Sequence, residues 1–335
     1  MNSDSVTDYL QVDYAPRVQI VRQPLFLDGY TRTGKFLLGS LLDSFENTEY
    51  FQNPLFLETS LYLHKLGKID FDTIKILIQT DLDFNTYNMA IGRNLNSRKT
   101  DESSIFNSIK AKEFLSRAES PDQNRLFEKF QNSNLLPVYI THEALCNIAV
   151  LFDIYPEMRL ISAQRNPICL ARSWRDRGWG IRWGNDPKSF SIAFSKKEKT
   201  IPWFALEWSE EYWNLNEIER IVKSLYCLSK KAKQEYKSLN SQHKEKILFV
   251  DFDKLLVSPQ SEVERAAYFL DCKLLPGLDL IMKRQKLPRA KDLTKVEQIQ
   301  LEIVSQLSPS IRNLYDELIE DYKNFWLPMT YAEGS

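Results

Sequence analysis

The stretch from Leu25 to Leu38, Leu-Phe-Leu-Asp-Gly-Tyr-Thr-Arg-Thr-Gly-Lys-Phe-Leu-Leu, holds residues suited to an anion. Arg32 and Lys35 place two positive charges close together, and Gly34 has no Cβ to keep the backbone from a phosphate oxygen. Gly29, Gly34 and Lys35 satisfy the spacing of a nucleotide-triphosphate loop: glycine, four residues, glycine, lysine. The next residue breaks the pattern. Phe36 stands where Ser or Thr would hold Mg²⁺, and it has no oxygen to offer. The loop is therefore expected to take a phosphate-like group without a bound metal. The alternative is a plain turn that happens to carry glycine and two cations.

Such a loop needs a strand before it and a helix after it. Leu25, Phe26 and Leu27 form a short apolar run fit for a buried strand, and Phe36, Leu37, Leu41 and Leu42 follow helical spacing to about Phe45. The helix start then aims its free N–H groups and partial positive charge at the loop. Three later runs share this layout. Leu136 to Ile140 ends in Thr141-His142-Glu143, with a helical pattern through Leu145, Ile148 and Phe152. Arg159 to Ala163 ends in Gln164-Arg165-Asn166-Pro167, with a helix starting near Pro167. Ile247 to Val250 ends in Asp251-Phe252-Asp253, before a helix from Ser258 to Leu270.

Strands alternating with helices imply an α/β fold of three layers (αβα) around a central, mostly parallel sheet. Ligands bind such sheets at the carboxyl ends of the strands. The glycine loop, His142 and Arg165 all fall on that edge. Between them, Leu55, Leu57, Leu61 and Leu63 suggest one helix and Ile74 to Ile78 another. Asn85 to Asp101 reads as an exposed loop. Ser103 is placed to cap a helix running through Ile105, Ile109 and Phe114 toward Ser120-Pro121.

Composition narrows the partners. The 335 residues are 43% hydrophobic and 27% charged, enough for a large core in one or two domains. The assignment is a polar lead-in over 1–18 and a single domain over 19–330. Forty-four Lys and Arg against forty-five Asp and Glu leave no basic footprint for nucleic acid or an anionic membrane. Cys146, Cys169, Cys227 and Cys272 lack metal or disulfide spacing and read as small core residues in a reducing compartment. The N-terminus resembles no signal peptide. The longest apolar-rich span, Leu135 to Phe152, carries Thr141, His142, Glu143 and Asn147, so no membrane span is expected and the protein is placed in the cytoplasm. Arg172 to Trp183 packs three tryptophans and four arginines into twelve residues, as a cleft lining or as packing against Trp203, Trp208 and Trp213. The lysines of 196–199 and 230–237 read as solvated helix faces.

Arg165-Asn166-Pro167 followed by Ser173 resembles the 3′-phosphate signature of sulfotransferases that use 3′-phosphoadenosine-5′-phosphosulfate (PAPS). Tyr30 to Phe36 is similar to that family's 5′-phosphosulfate loop, and Ile247 to Leu255 to its late strand and acidic turn. The resemblance implies the P-loop NTPase-like sulfotransferase fold. It also implies PAPS as co-substrate, held by Arg32, Thr33, Gly34, Lys35, Phe36, Arg165 and Ser173, with no metal. Sulfuryl transfer would go to a hydroxyl or amine of a small molecule or glycan. Arg32 and Lys35 would neutralise the leaving phosphate, and His142 would take the acceptor proton, with Glu143 or Glu58 as the alternative base. His64 and His243 lack a strand-end setting. Arg284, Arg289 and Lys291 are the candidates to complete the 3′-phosphate site.

Lys35 and Phe36 depart from the family, which has small hydroxyl residues there. Hydrogen bonds to the 5′-phosphate are then lost or replaced by charge. Two other classes stay open: a small-molecule kinase using ATP and Mg²⁺, against which Phe36 speaks, and a noncatalytic binding protein with a degenerate nucleotide fold. Neither the acceptor nor the oligomeric state can be read from the residues.

Overall fold

Four short apolar runs lie side by side and parallel in the computed structural model, which describes residues 13–290 and 293–331. They are β1 (Leu25–Asp28), β2 (Val138–Ile140), β3 (Arg159–Gln164) and β6 (Ile247–Asp251), in the order β2-β1-β3-β6. Leu25 pairs with Val138 on one side and Arg159 on the other, and Leu160 pairs with Ile247. Apart from the half-buried Arg159 that opens β3, these strands are buried along their whole length, as expected of a sheet covered on both faces.

Alternation along each strand divides the core in two. Leu25, Leu27, Val138, Ile140, Ile161, Leu248 and Val250 face the helices Lys35–Leu42, Pro259–Leu270 and Leu278–Arg284. Phe26, Tyr139, Leu160, Ile247 and Phe249 face a larger layer that includes Leu55–Lys65, Phe71–Ala90, Pro167–Arg175, Glu217–Ser238 and the C-terminal helix Pro309–Asp321. The result is an α/β protein with a central parallel sheet between helical layers. No helix among the described residues is long and apolar enough to cross a membrane.

Several local expectations are corrected. The segment after Asn85 is not a loop from its start: the helix Phe71–Ala90 continues through Thr86 and Met89, which are buried. The helix expected from Ser103 is broken into a single turn, Ile105–Asn107, and a helix, Ala111–Glu119. The break forms because the Asp43 carboxylate accepts from Ser108 Oγ at 2.7 Å and from the Ile109 N–H at 2.6 Å, fixing an extended link between the pieces. Residues 196–199 are not a helix face. They close an antiparallel hairpin, β4 (Ala193–Lys196) with β5 (Lys199–Pro202), whose two turn residues Lys197 and Glu198 both take positive φ. The lysines of 230–237 lie on a helix, but Lys230 and Lys233 pair with Glu317 and Asp321 of the C-terminal helix. Within the polar lead-in, Arg17 bonds Asp83 at 2.8 Å on the helix Phe71–Ala90, and residues 1–12 lie outside the described residues.

Candidate functional site

The loop after β1 is built so that its carbonyls are held from behind. Lys35 Nζ donates to the Gly29 carbonyl at 2.7 Å and to that of Tyr30 at 3.2 Å. Trp174 Nε1 donates to the Thr31 carbonyl at 2.7 Å, and an Arg165 guanidinium N–H to that of Arg32 at 2.5 Å. With its carbonyls engaged, the loop leads into the helix Lys35–Leu42, whose first-turn N–H groups have no intrahelical acceptor and no side-chain cap. Those donors are free for an anion. Gly34 sits at φ 94°, where a Cβ would run into the Phe252 ring, so only glycine lets the loop reach the helix on this path.

Arg32 meets two residues more than a hundred positions away, Arg165 and Ser173, beside this loop. Arg32 Nε lies 3.3 Å from Ser173 Oγ, and Arg165 joins the same group through the Arg32 carbonyl. Ser173 is carried by the helix Pro167–Arg175, started by Asn166 accepting from the Ile168 N–H and by Pro167 in its first turn. The Arg165 guanidinium lies 4.8 Å from the Phe252 ring centroid, its buried Nε has no hydrogen-bond partner among the described residues, and burial pushes its pKa down. The other cations stand elsewhere: Arg284 acts on Asp43 and Tyr50, while Arg289 donates to the carbonyls of Gln285 and Lys286. Among the described residues neither is bonded to Arg165 or Ser173, and Lys291 lies outside them.

On the other side of the loop, Asp28 organises the turn that follows β2. Its buried carboxylate accepts from Thr141 Oγ1 at 2.9 Å and from the N–H groups of Ala144 and Leu145 at 2.8 and 3.1 Å. That places His142 and Glu143 at the strand end, Glu143 at φ 57°. His142 Nδ1 lies 3.2 Å from Glu58 Oε1, and its backbone N–H donates to the same oxygen. Glu143 accepts from the Tyr62 hydroxyl at 2.7 Å. Glu58 and Tyr62 are one turn apart on the helix Leu55–Lys65, so one helix face positions both acidic side chains.

Burial sets the protonation of this group. It lowers His142 to about 3, with the Lys35 cation adding to the effect, and so keeps the imidazole neutral. It raises Glu58 to about 8, and it raises Glu143, with help from Glu58, to about 7. Lys35 falls to about 8 because burial outweighs the nearby carboxyl groups of Asp28, Glu58 and Glu143.

His142, Glu58 and Glu143 line a cavity of about 210 Å³ whose aromatic wall includes Trp174, Trp179, Trp183 and Phe204. The tryptophans line the cleft, and their ring contacts are with one another and with Phe204, whose ring in turn meets Trp203. His64 bonds the Ile69 carbonyl and His243 stacks on Phe152, both away from this cavity. Asp28 and Tyr62 were not legible as site residues. Asp28 precedes Gly29 directly, and Tyr62 is one helical turn from Glu58; those spacings were the available signals.

Neither a comparison with protein-family models nor one with curated proteins finds a match. Among solved structures the chain is similar to the sulfotransferase domain of the Synechococcus PCC 7002 olefin synthase, at 11% identity and a TM-score of 0.43, over 95% of this chain and 93% of that one. It is also similar to the sulfotransferase domain of the curacin biosynthetic pathway, at 11% identity and a TM-score of 0.44, over 95% and 96%. A third is a sulfotransferase from Mycobacterium avium, at 13% identity and a TM-score of 0.39, over 91% and 81%.

Proposed function

We propose that the protein transfers a sulfuryl group from PAPS to a hydroxyl carried on an apolar body, without a metal, with His142 as general base. The observation that carries this reading is the meeting of Arg32, Arg165 and Ser173 beside a loop with free N–H donors, next to a cavity holding a neutral histidine. The donor supplies an activated sulfuryl group and a phosphate leaving group. Arg165 and Ser173 bind its 3′-phosphate. The loop N–H groups and Arg32 hold its 5′ end, Thr33 shapes the loop by donating its N–H and hydroxyl to the Tyr30 carbonyl, and Lys35 adds its charge from behind the loop as the S–O bond to phosphate breaks and its electron pair leaves with the phosphate oxygen. His142 Nδ1 is committed to Glu58, which leaves Nε2 to take the acceptor proton as the new O–S bond forms. The Glu58 carboxyl, neutral below about 8, holds the ring in place through Oε1. The Phe36 ring in the magnesium position supports this reading over a kinase.

The test is the melting temperature with 3′-phosphoadenosine-5′-phosphate (PAP) and, separately, with ATP and Mg²⁺. PAP at about a hundred times its Kd adds ~2.7 kcal/mol, a shift of several degrees. Arg165→Ala is expected to lose the shift. His142→Asn is expected to keep it while transfer falls by about 10²- to 10⁴-fold. A shift by ATP and Mg²⁺ alone would favour the kinase, and no shift by either would overturn the reading.

A further inference from the structure

A second cavity, of about 250 Å³, opens beside the first, and Asn53 lines both. Its polar lining is wholly uncharged: Gln52, Asn53, Asn85, Asn94, Asn96 and Ser103. Phe36, Tyr50 and Phe51 supply aromatic surface, so the pocket offers rings and carboxamides with no formal charge. It has no group to pair a carboxylate, phosphate or ammonium.

Gln52 is the unusual member. Its backbone is pinned to the sheet, accepting from the Ile140 N–H at 2.6 Å and donating to the Val138 carbonyl at 2.9 Å. Its side chain is left with Oε1 and Nε2 both buried and both without a partner among the described residues. A buried carboxamide with neither bond made is costly, and the pinned backbone prevents relief by moving the residue out. The neighbours are partly spent: Asn94 Nδ2 donates to Asn85 Oδ1 at 3.3 Å, and Asn96 Nδ2 donates to Ser103 Oγ at 2.9 Å. What Gln52 lacks is a donor and an acceptor side by side. By contrast, a larger cavity, about 970 Å³ at the amino ends of the strands beside Arg159 and Lys246, has no such orphaned group in its lining among the described residues.

We propose that this second cavity holds a neutral sugar ring of the acceptor, its adjacent hydroxyls bonding the Gln52 carboxamide and its C–H face lying on Phe36 and Phe51. Resting on the sulfuryl-transfer reading of the adjoining site, this makes the acceptor a glycoside: the reacting hydroxyl sits on an apolar body in the aromatic cavity by His142, and the sugar passes Asn53 into the carboxamide cavity. A vicinal diol presents the paired donor and acceptor that Gln52 lacks. A charged sugar would be refused, because burying its charge here without a partner is prohibitive.

The experiment is calorimetric titration of tyrosol and hydroquinone, each free and as its mono-β-glucoside, into the protein with and without PAP. The two pairs differ in the spacer between ring and sugar. In the wild type the glucoside of at least one pair is expected to bind about tenfold tighter than its aglycone, the size of one well-made set of hydrogen bonds in a dry site. In Gln52→Leu that preference should fall to about threefold or less, with the melting temperature and PAP affinity reporting that the variant is folded. No glucoside preference in either pair, or a preference unchanged in Gln52→Leu, overturns the proposal, the latter meaning that the sugar is recognised by groups other than Gln52. PAP failing to bind while the Gln52-dependent preference persists would overturn the transferase reading and leave the sugar site standing.

Discussion

Lys35 is the residue on which chemistry and pH meet. Its amine is buried against the carbonyls of Gly29 and Tyr30, and burial brings it to about 8 from its ordinary 10.5. The charge proposed to stabilise the leaving phosphate is thus lost on mild alkalinisation. His142, held neutral to about 3, gives no acid limb near its ordinary value. The pH profile of kcat/KM should therefore be flat through neutrality and fall above about 8, and Lys35→Arg should move that fall upward by more than a unit, since a guanidinium stays charged. Glu58 also titrates at about 8, so Glu58→Gln is the control: the alkaline limb should persist, moved to lower pH because the Glu58 charge helps Lys35 keep its proton. Stability moves the other way. Between about 8 and 10.5 the unfolded chain binds the Lys35 proton and the folded one does not, so this group's contribution to stability rises with pH as activity falls. An activity loss that tracks unfolding would refute the assignment to Lys35.

At the scale of elements, the turn between β1 and the helix Lys35–Leu42 is possible only because of Gly34. A Cβ there would strike the Phe252 ring, at a φ of 94° that side chains rarely adopt. Gly34→Ala should lower stability by about 2–4 kcal/mol, from backbone strain plus overpacking, and should abolish PAP stabilisation; the midpoint of urea unfolding and the PAP shift measure each. A variant of wild-type stability would mean that Phe252 yields freely. This loop was legible because its chemistry is local: Gly29, Gly34 and Lys35 announce it by spacing. The four sheet strands were legible for a related reason, being apolar runs ending in polar turns. Other elements were decided by distant groups. Asp43 breaks the helix expected from Ser103, and Asn85 stays helical because Thr86 and Met89 on the same helix are buried. Likewise Glu58 and His142 are 84 residues apart, and their pairing rests on how the helix Leu55–Lys65 packs across the end of β2. The hairpin at 193–202 was missed because its strands are mostly exposed and lack a run of apolar residues to mark them.

At the scale of the whole molecule, the C-terminal helices are tied to the strand edge that carries the site. Tyr322 OH donates to Asp251 Oδ1, at the carboxyl end of β6, at 3.2 Å, and Trp326 Nε1 donates to Ser229 Oγ at 3.0 Å. The Trp326 ring lies against Phe249 of β6 with centroids 5.6 Å apart, and its side chain is 3% exposed. Lys233 and Asp321 add an ion pair at 2.8 Å between the same helices. Apolar contact therefore runs unbroken from the sheet through the helix Glu217–Ser238 to the C-terminal segment, within one core cluster. A segment joined in this way should unfold with the sheet. Trp326→Ala should cost about 3–5 kcal/mol, as for other large buried side chains cut to alanine, and the loss should fall on the entire molecule. Followed by tryptophan fluorescence and by far-ultraviolet circular dichroism, urea unfolding should give coincident transitions in the wild type and in the variant, with the midpoint lowered in the variant for both probes. Transitions that separate in the wild type would show that the C-terminal helices form a unit of their own, and Tyr322 could then no longer be counted among the groups that fix the end of β6.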